Sequence, residues 1–222
     1  MGRATNTKPK IAVYTAITGD FDGLKENQNT NNADFFAYLE QPHQSSTWNT
    51  RLIDFKGKTN NLTAKYYKLH PHKLFPDYEY SLWIDGSVEL VADARDLVKL
   101  YLKNSSWAVH KHASRTCIID EAFACVEMGK ADPDVLSKQV ARYIVGEKYP
   151  RNNGLAENTV ILRRHNDPDV IKVNEDWWKE CNEWSHRDQI SFNYVAWKNN
   201  FEYKEMNGSI YTTPDFKLYP HK

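Results

Sequence analysis

Apolar segments of strand length alternate with segments of helical periodicity along most of the chain. The strand-like segments are short, rich in aromatic and aliphatic residues, and bounded by polar turn residues, which is typical of buried strands. They lie at 10–17, 33–40, 50–55, 80–85, 106–112 and 158–164. The helical segments lie at 61–70, 94–102, 119–145, 168–184 and 185–199. This alternation predicts a mostly parallel α/β sheet with helices on both faces.

Polar residues mark the expected starts of two helices. Asp93 stands directly before an amphipathic segment and is expected to cap it. Ser185 and Asp188 have the spacing of a capping box, which predicts that the last helix opens with Ser185. In the helix before it, Trp177 belongs to a set of apolar residues at helical spacing, and we expect it in the core.

The composition fits one globular domain. The chain has 222 residues, and we expect 1–9, which are polar, to form a disordered lead to a single domain at 10–222. Its 29 basic and 29 acidic residues cancel, so a broad electrostatic surface for nucleic acid is not expected. Its 3 cysteines form no CxxC pair, which argues against a disulfide scaffold or a cysteine zinc site.

Membrane and targeting signals are not evident in the sequence. No segment approaches the roughly 20 apolar residues of a membrane-spanning helix. The first ten residues are polar, unlike a signal peptide. We therefore expect a cytoplasmic protein with no membrane segment.

The segment at 80–85 ends on a carboxylate, Asp85, which is followed by Gly86 and Ser87. Asp-Gly-Ser is common in turns, and this structural interpretation stands beside a functional one. Ligands of open α/β sheets bind beyond the carboxyl ends of the strands, where Asp85 is expected. Such a carboxylate can hold Mn²⁺ or Mg²⁺ together with a diphosphate, as a shortened D-x-D motif, in which Ser87 is a weaker ligand than a second Asp.

Two histidines close the strand expected at 106–112. His110 and His112 are two residues apart, so on a strand they face the same side, and Arg115 follows. They can be an exposed strand end, a phosphate-binding group, or a pair of metal ligands that needs a third. The sequence leaves these three interpretations open.

The remaining candidates are polar or small residues near the expected strand ends. Those for donor binding are Thr15, Ala16, Thr18, Asp20, Lys65, Asn153 and Gly154. Those for contact with the reacting sugar and acceptor are Glu157, Asp188 and Gln189, and a late histidine, His221, is a candidate third metal ligand beside Asp85 and Ser87.

Five stretches, in order from about residue 10 to 198, resemble a known family. They are KIAVYTAITGDFDGL, HPHKLFPDYEYSLWIDGSVEL, HKHASRTCIIDEA, GLAENTVILRRHN and SHRDQISFNYVAWK. The family is the plant and microbial glycosyltransferase-like domain of the mucilage-related and turgor-regulation proteins. The resemblance implies a GT-A-like (Rossmann-like) nucleotide-diphosphosugar transferase fold. Asp85 matches the first Asp of the family's metal motif, and Ser87 departs from the second.

The late element of the chain is also similar to glycogenin-like retaining transferases. Their DQD…N element looks like Asp188 and Gln189 with Asn193 here. The resemblance implies a hexosyl- or pentosyl-transferase that uses a nucleoside-diphosphate sugar, expected to be UDP-linked, and a hydroxyl acceptor such as a glycan, with Mn²⁺ or Mg²⁺.

Three alternatives stay open at this point. One plant relative has been assigned a lipid-hydrolysing activity, so a metal-dependent hydrolase built on His110 and His112 is possible. A second is a non-catalytic carbohydrate-binding module, favoured by the 7 tryptophans and 13 tyrosines. The third keeps the transferase chemistry but replaces the glycan acceptor with a hydroxylated DNA base.

Overall fold

The computed structural model of the chain describes residues 10–222; the lead expected at 1–9 lies outside the described residues. The strands are β1 (Ile11–Ile17), β2 (Asp34–Leu39), β3 (Asn49–Leu52), β4 (Tyr80–Ile84), β5 (Val88–Leu90), β6 (Trp107–Lys111), β7 (Ala156–Arg163), β8 (Lys204–Met206) and β9 (Phe216–Leu218). The helices are α1 (Asn60–Leu69), α2 (Pro71–Leu74), α3 (Ala94–Tyr101), α4 (Ile118–Glu127), α5 (Pro133–Ala141), α6 (Pro168–Glu183) and α7 (Asp188–Lys198), and a π-helical turn at Arg142–Gly146 follows α5.

Seven strands form one mixed sheet in the order β3-β2-β1-β4-β7-β6-β8. Strand β7 runs antiparallel to β4 and β6, with Trp83 opposite Ile161, and the other pairs are parallel. The prediction of a mostly parallel, GT-A-like α/β sheet is therefore confirmed. The parallel strands place the chain segments that follow β1, β4 and β6 along one edge of the sheet.

Alternating side chains of the strands pack into two cores, one on each face of the sheet. Tyr14 and Trp107 belong to the first core, which α1 and α4 to α7 cover with residues such as Trp177. Val13 and Leu82 belong to the second core, which α3 covers together with the small β5–β9 sheet. Helices thus lie on both faces, as predicted, but most of them lie on the first. Among the described residues, no helix is both long and apolar enough to cross a membrane.

The long helix predicted at 119–145 is wrong. Helix α4 ends at Glu127, and Gly129 follows with a φ of +63°, a conformation that glycine adopts without steric cost. A new helix then begins at Pro133, where the side chain of Asp132 accepts the N–H of Val135. Helices α4 and α5 pack against each other, and α4 also packs against α7.

The capping box predicted at Ser185 and Asp188 is also wrong. The last helix begins at Asp188, and Arg187 occupies the N-cap position without a side-chain cap. The hydroxyl of Ser185 accepts the N–H of Arg187 instead. The Asp188 carboxylate contacts two lysines of α1, so it is not available to the backbone. The cap predicted at Asp93 does form, to the N–H of Arg95.

The third strand is shorter than predicted and ends at Leu52. The amide groups of Asp54 and Phe55, which were expected to extend it, donate to the hydroxyl of Tyr67 in α1. Strands β5, β8 and β9 were not predicted. Each has three residues, which is too short for a period-2 pattern to be recognised.

A buried arginine fixes α1 to the sheet. Arg163 in β7 is fully buried and donates to the hydroxyl of Tyr14, to Asn174 Oδ1 and, at 2.8 Å, to the carbonyl oxygen of Lys68. The Tyr14 hydroxyl donates to the same carbonyl at 2.9 Å. These bonds tie the last turn of α1 to β1 and β7, and so determine where the lysines of α1 lie.

Candidate active site

Five charged side chains meet beside the carboxyl end of β4, and we call them the charge cluster. They are Lys65 and Lys68 of α1, Asp85 after β4, Glu157 of β7 and Asp188 at the start of α7. Lys65 Nζ lies 2.8 Å and Lys68 Nζ 2.7 Å from Asp188 Oδ2, and Lys68 Nζ lies 3.5 Å from Asp85 Oδ1. Four elements distant in sequence thus bring opposite charges together.

Asp188 is the most strongly stabilised carboxylate of the cluster. Burial alone would raise its pKa, but the ammonium groups of Lys65 and Lys68 outweigh burial and hold the pKa far below its ordinary value. The Lys68 side chain is only 2% exposed. Burial lowers the pKa of Lys68, but the carboxylates of Asp188 and Asp85 outweigh burial and raise it. The two lysines therefore favour the ionised form of Asp188.

Glu157 lies in the opposite electrostatic environment. Burial raises the pKa of Glu157, and the negative charges of Asp85 and Asp188 raise it further, although the Thr159 hydroxyl donates to Oε1 at 2.6 Å. The other oxygen, Oε2, lies 3.9 Å from His112 Nε2. A carboxyl group with a raised pKa beside one with a lowered pKa is a typical acid–base arrangement.

Asp85 is directed into the charge cluster, not into a turn of its own loop. Its Oδ1 accepts the indole N–H of Trp83 at 2.6 Å, and its amide donates to the carbonyl of Thr159. Its Oδ2 has no hydrogen-bond partner among residues 10–222, and the side chain is 35% exposed. One carboxylate oxygen is therefore available to a ligand.

The C-terminal segment passes close to Asp85. The amide of Tyr219 donates to the carbonyl of Ser87, and His221 Nδ1 lies 2.9 Å from Asp22 Oδ1. Ser87 itself is only 1% exposed. Of the three expected metal ligands, His221 and Asp85 are accessible and Ser87 is buried.

The donor set around Asp85 fits a divalent metal only in part. No three His, Cys, Asp or Glu side chains within the described part of the chain form a ready-made metal site. Mg²⁺ and Mn²⁺ sites in enzymes of phosphate substrates, however, often use one or two carboxylates plus the phosphate oxygens. The free Asp85 Oδ2 meets that requirement, so the residues fit a metal that binds together with a diphosphate.

The residues expected to bind the nucleotide lie in the last half of β1 and in the loop after it. Thr15 is buried and its hydroxyl has no partner among the described residues, and Ala16 lies beside it. The Thr18 hydroxyl donates to the carbonyl of Asn60, and Asp20, which is exposed, pairs with Lys222.

The residues expected to bind the sugar, Asn153 and Gly154, precede β7, where Gly154 has a φ of +82°. Gln189 follows Asp188 in the first turn of α7 and accepts from Arg187 at 3.5 Å.

His110 lies in β6, and His112 follows the end of that strand. The register of β6 against β7 shifts between Val109 and His110. His110 Nδ1 contacts the carbonyl of Gly208 and its ring packs on Phe216. His112 Nδ1 instead accepts the amides of Ser114 and Arg115. The two rings therefore have separate partners.

Sequence reasoning did not assign site roles to Lys68, Trp83 or Glu121. Lys68 lies one helical turn after Lys65, and this i, i+3 spacing was the available signal. Trp83 and Glu121 carry no such signal, because their partners, Asp85 and Arg115, depend on where β4 and α4 lie.

Two open grooves, of about 510 and 640 Å³, lie elsewhere on the surface. The first adjoins Asp34 and Asn49, where β2 and β3 begin, and the second adjoins Ser106 and Lys204, before β6 and at the start of β8. Both are at the opposite sheet edge from Asp85. The two grooves therefore do not coincide with the charge cluster, which the paired charges mark as the candidate site.

Comparison with known proteins decides the family. The family described as TOD1/MUCI70, glycosyltransferase-like domain, matches residues 40–217. The chain belongs to this family. The resemblance inferred from the sequence is thereby confirmed for the TOD1/MUCI70 domain.

Two curated relatives come from Arabidopsis thaliana. The probable hexosyltransferase MUCI70 is 30% identical over 214 residues, covering 83% of this chain and 37% of that protein. The alkaline ceramidase TOD1 is 28% identical over 137 residues, covering 56% of this chain and 29% of that protein. The TOD1/MUCI70 domain studied here thus spans about a third of the length of these relatives. Among solved structures, mouse xyloside xylosyltransferase 1 superimposes with a TM-score of 0.47 at 7% identity, covering 89% of this chain and 84% of that one.

Replacing Gly86 by Ala is expected to disturb the site without removing any functional group. A methyl group at position 86 would lie 2.9 Å from Ile17 Cγ1 and 3.0 Å from Asp22 Cβ, which is closer than van der Waals contact. The loop after β1 must then move away from Asp85, at a cost of about 1–3 kcal/mol in unfolding free energy. Urea denaturation checks this cost, and Gly129→Ala, where no atom lies within 4 Å of the added methyl group but φ is positive, separates crowding from backbone strain.

Proposed function

We propose that this TOD1/MUCI70 domain transfers a hexosyl or pentosyl group from a UDP-linked sugar to a hydroxyl acceptor such as a glycan. The observation that carries the proposal is the charge cluster at the carboxyl end of β4. It combines an accessible carboxylate, Asp85, with two carboxyl groups, Glu157 and Asp188, whose pKa values are shifted in opposite directions. The membership in a glycosyltransferase-like family supports this reading of the cluster.

Donor binding is assigned to the sheet edge between β1 and β4. Asp20 and the loop after β1 contact the base and ribose, and the buried Thr15, Ala16 and Thr18 support that loop, while Asn153 and Gly154 receive the sugar hydroxyls. Asp85 and His221 would hold Mn²⁺ or Mg²⁺ together with the diphosphate, and Ser87, whose side chain is buried, would contribute only its backbone. Such a metal neutralises charge on the leaving diphosphate. Lys65, whose side chain is 19% exposed, adds a second cation next to that group.

The two remaining carboxyl groups divide the chemistry of transfer. Glu157 removes the proton of the acceptor hydroxyl, because its raised pKa makes its carboxylate a better proton acceptor than that of an ordinary Glu. Asp188 stays ionised and stabilises positive charge that develops on the sugar ring as the bond to the diphosphate breaks. Gln189, beside it, is assigned to the sugar hydroxyls. Lys68 contacts both Asp188 and Asp85 and fixes the positions of the two carboxylates relative to each other.

A different feature of the chain bears on each of the three alternatives. A hydrolase metal site on His110 and His112 lacks shared partners, as their rings contact different residues. A binding module that relies on stacking needs exposed tryptophans, but all seven tryptophans of the chain are buried or only partly exposed. A hydroxylated DNA base as acceptor would require a salt-sensitive affinity for DNA.

Thermal stabilisation by UDP with Mn²⁺ tests the proposed function. At a hundredfold excess over Kd, a ligand that binds only the folded state adds about 2.7 kcal/mol, which for a chain of this size raises Tm by about 5–10 °C. We expect this shift with UDP and Mn²⁺, and its loss in Asp85→Ala. The control, Asp96→Ala, removes an exposed carboxylate on α3 and should keep the full shift. If no nucleotide stabilises the wild-type protein, the transferase assignment is wrong.

A further inference from the structure

Trp83 and Asp85 face the same side of the chain at the carboxyl end of β4. They are two residues apart, and the amide of Asp85 still donates to the carbonyl of Thr159 in β7, so the extended backbone continues to Asp85. The indole N–H of Trp83 lies beside the Asp85 carboxylate and donates to Oδ1 at 2.6 Å. An indole nitrogen can only donate, so this contact assigns one carboxylate oxygen to the protein.

Packing prevents the indole from turning away from Asp85. Trp83 is only 3% exposed. Tyr14 of β1 packs edge-on against its ring, with the ring centroids 5.2 Å apart, and the ammonium group of Lys68 lies 5.5 Å from the ring centroid. Arg163 ties these neighbours together, because it donates to both the Tyr14 hydroxyl and the Lys68 carbonyl. The donor is therefore fixed before any ligand binds.

The two oxygens of the Asp85 carboxylate have different surroundings. Oδ1 accepts the indole N–H and lies 3.5 Å from Lys68 Nζ, so two donors face it. Oδ2 has no hydrogen-bond partner among residues 10–222, and the side chain is 35% exposed. A cation that approaches from solvent meets one free oxygen, and it can bind both oxygens only by displacing the indole N–H.

We propose that Trp83 is a positioning residue that limits Asp85 to coordination through one oxygen and so makes the site selective for Mg²⁺ and Mn²⁺ over Ca²⁺. This inference rests on the proposed function, in which Asp85 holds a divalent metal with the diphosphate. Ca²⁺ takes about six to eight oxygen ligands and often binds both oxygens of one carboxylate, whereas Mg²⁺ uses one or two carboxylates with phosphate oxygens in an octahedral set. Loss of the indole donor frees Oδ1 and gives the larger ion an additional ligand.

Trp83→Phe tests this role, because it keeps an aromatic ring and removes the N–H. Isothermal titration measures the affinity of the purified chain for UDP with Mg²⁺, Mn²⁺ or Ca²⁺. We expect wild-type protein to bind UDP at least about tenfold more tightly with Mn²⁺ or Mg²⁺ than with Ca²⁺. In Trp83→Phe the affinity with Mn²⁺ or Mg²⁺ should fall by about three- to tenfold, and the affinity with Ca²⁺ should stay the same or rise.

Trp107→Phe is the matched control for this substitution. Trp107 is fully buried in the same core, and its indole N–H has no acceptor among the described residues. The change removes the same atoms and a similar amount of packing, but it breaks no hydrogen bond. The ratio of UDP affinities with Mn²⁺ and Ca²⁺ should therefore keep its wild-type value, even where Tm falls.

NMR of the indole N–H groups gives a second test that does not need Trp83→Phe to fold. One of the seven indole signals should lie downfield in wild-type protein, because its acceptor is a charged carboxylate at 2.6 Å, and it should move upfield in Asp85→Ala. Addition of UDP with Mg²⁺, which is diamagnetic, should leave that signal downfield, because the indole still holds Oδ1 when the site is loaded.

Four results would overturn the role of Trp83. Wild-type protein that binds UDP equally well with all three ions has no such selectivity. An equal loss of UDP affinity with Mn²⁺ and Ca²⁺ in Trp83→Phe would make Trp83 a packing residue only. The same change of ratio in Trp107→Phe would trace the effect to the core. An indole signal that does not respond to Asp85→Ala, or that moves upfield with UDP and Mg²⁺, would show that Oδ1 is not held.

Failure of the proposed function has a different signature. Wild-type protein would then bind no nucleotide with any of the three ions, which removes the metal selectivity as well. The indole signal would still move in Asp85→Ala, since the hydrogen bond exists without a ligand. Failure of the selectivity alone leaves nucleotide binding by the wild-type protein intact.

Discussion

Asp188→Asn is expected to lower the free energy of unfolding by about 3–5 kcal/mol and to reduce sugar transfer by about 100- to 1,000-fold. The substitution leaves the ammonium groups of Lys65 and Lys68 buried without their main counter-charge, since both lie within 2.8 Å of Asp188 Oδ2. It also removes the negative charge assigned to the sugar ring. Urea denaturation measures the first effect, and a single-turnover assay of transfer measures the second.

The matched control for this change is Asp176→Asn. Asp176 pairs with Lys172 on the surface of α6, and its side chain is 45% exposed, so its loss should change unfolding free energy by no more than about 1 kcal/mol. If Asp188→Asn does not fold, Lys65→Met provides a second test, because it keeps the pair between Asp188 and Lys68. Normal stability of Asp188→Asn would show that the lysines are hydrated and not buried with Asp188.

The pH dependence of stability has a defined sign for Asp188. Its pKa in the folded protein is depressed, so its contribution is fully present above the pKa of an unfolded Asp, about 3.9. The contribution is lost as pH falls below that value towards the depressed folded pKa. Wild-type protein should therefore lose stability more steeply than Asp188→Asn when urea denaturation is repeated between pH 5 and pH 2.

Local sequence patterns were sufficient to predict the sheet and the edge at which Asp85 lies. The apolar run that ends at Asp85 was recognisable because β4 is buried on both faces, and it placed that carboxylate at the carboxyl end of a strand. The break after α4 was equally local, since Gly129 and the Asp132–Pro133 pair are standard helix-end signals. Its omission was an error of interpretation and not a lack of information.

Long-range contacts account for what the sequence did not reveal. A lysine or arginine is normally exposed, so nothing local indicates that Lys68 and Arg163 are almost fully buried. Their burial depends on partners in β1, β7 and α7. Similarly, the spacing of Ser185 and Asp188 satisfied the capping-box pattern, but the lysines of α1 compete for the same carboxylate. Such competition between a local and a distant partner is not readable from one segment.

Glu157→Gln should lower the rate of transfer without lowering stability, whereas Asp188→Asn should lower both. We expect transfer to fall by about 100- to 10,000-fold, because the neutral amide cannot accept the proton of the acceptor hydroxyl. Unfolding free energy at pH 7 should be unchanged or higher. Burial and two nearby carboxylates disfavour the charge on Glu157, and the substitution removes that charge. Single-turnover rates and urea denaturation provide the two measurements.

The pH profile of the wild-type enzyme follows from the same raised pKa. As a base, Glu157 must be ionised, so the rate should rise with pH through its pKa, above the range of an ordinary Glu. In the wild-type protein the Thr159 hydroxyl donates to Glu157 Oε1 and thereby lowers the pKa of Glu157. Thr159→Val removes that hydroxyl, so the rise of the rate with pH should move to still higher pH. Glu127→Gln, at the C-terminal end of α4 and exposed, should leave rate and profile unchanged. A full rate in Glu157→Gln would transfer the role of base to another group, and the opposite pKa shifts of Glu157 and Asp188 would then reflect only how the cluster is packed.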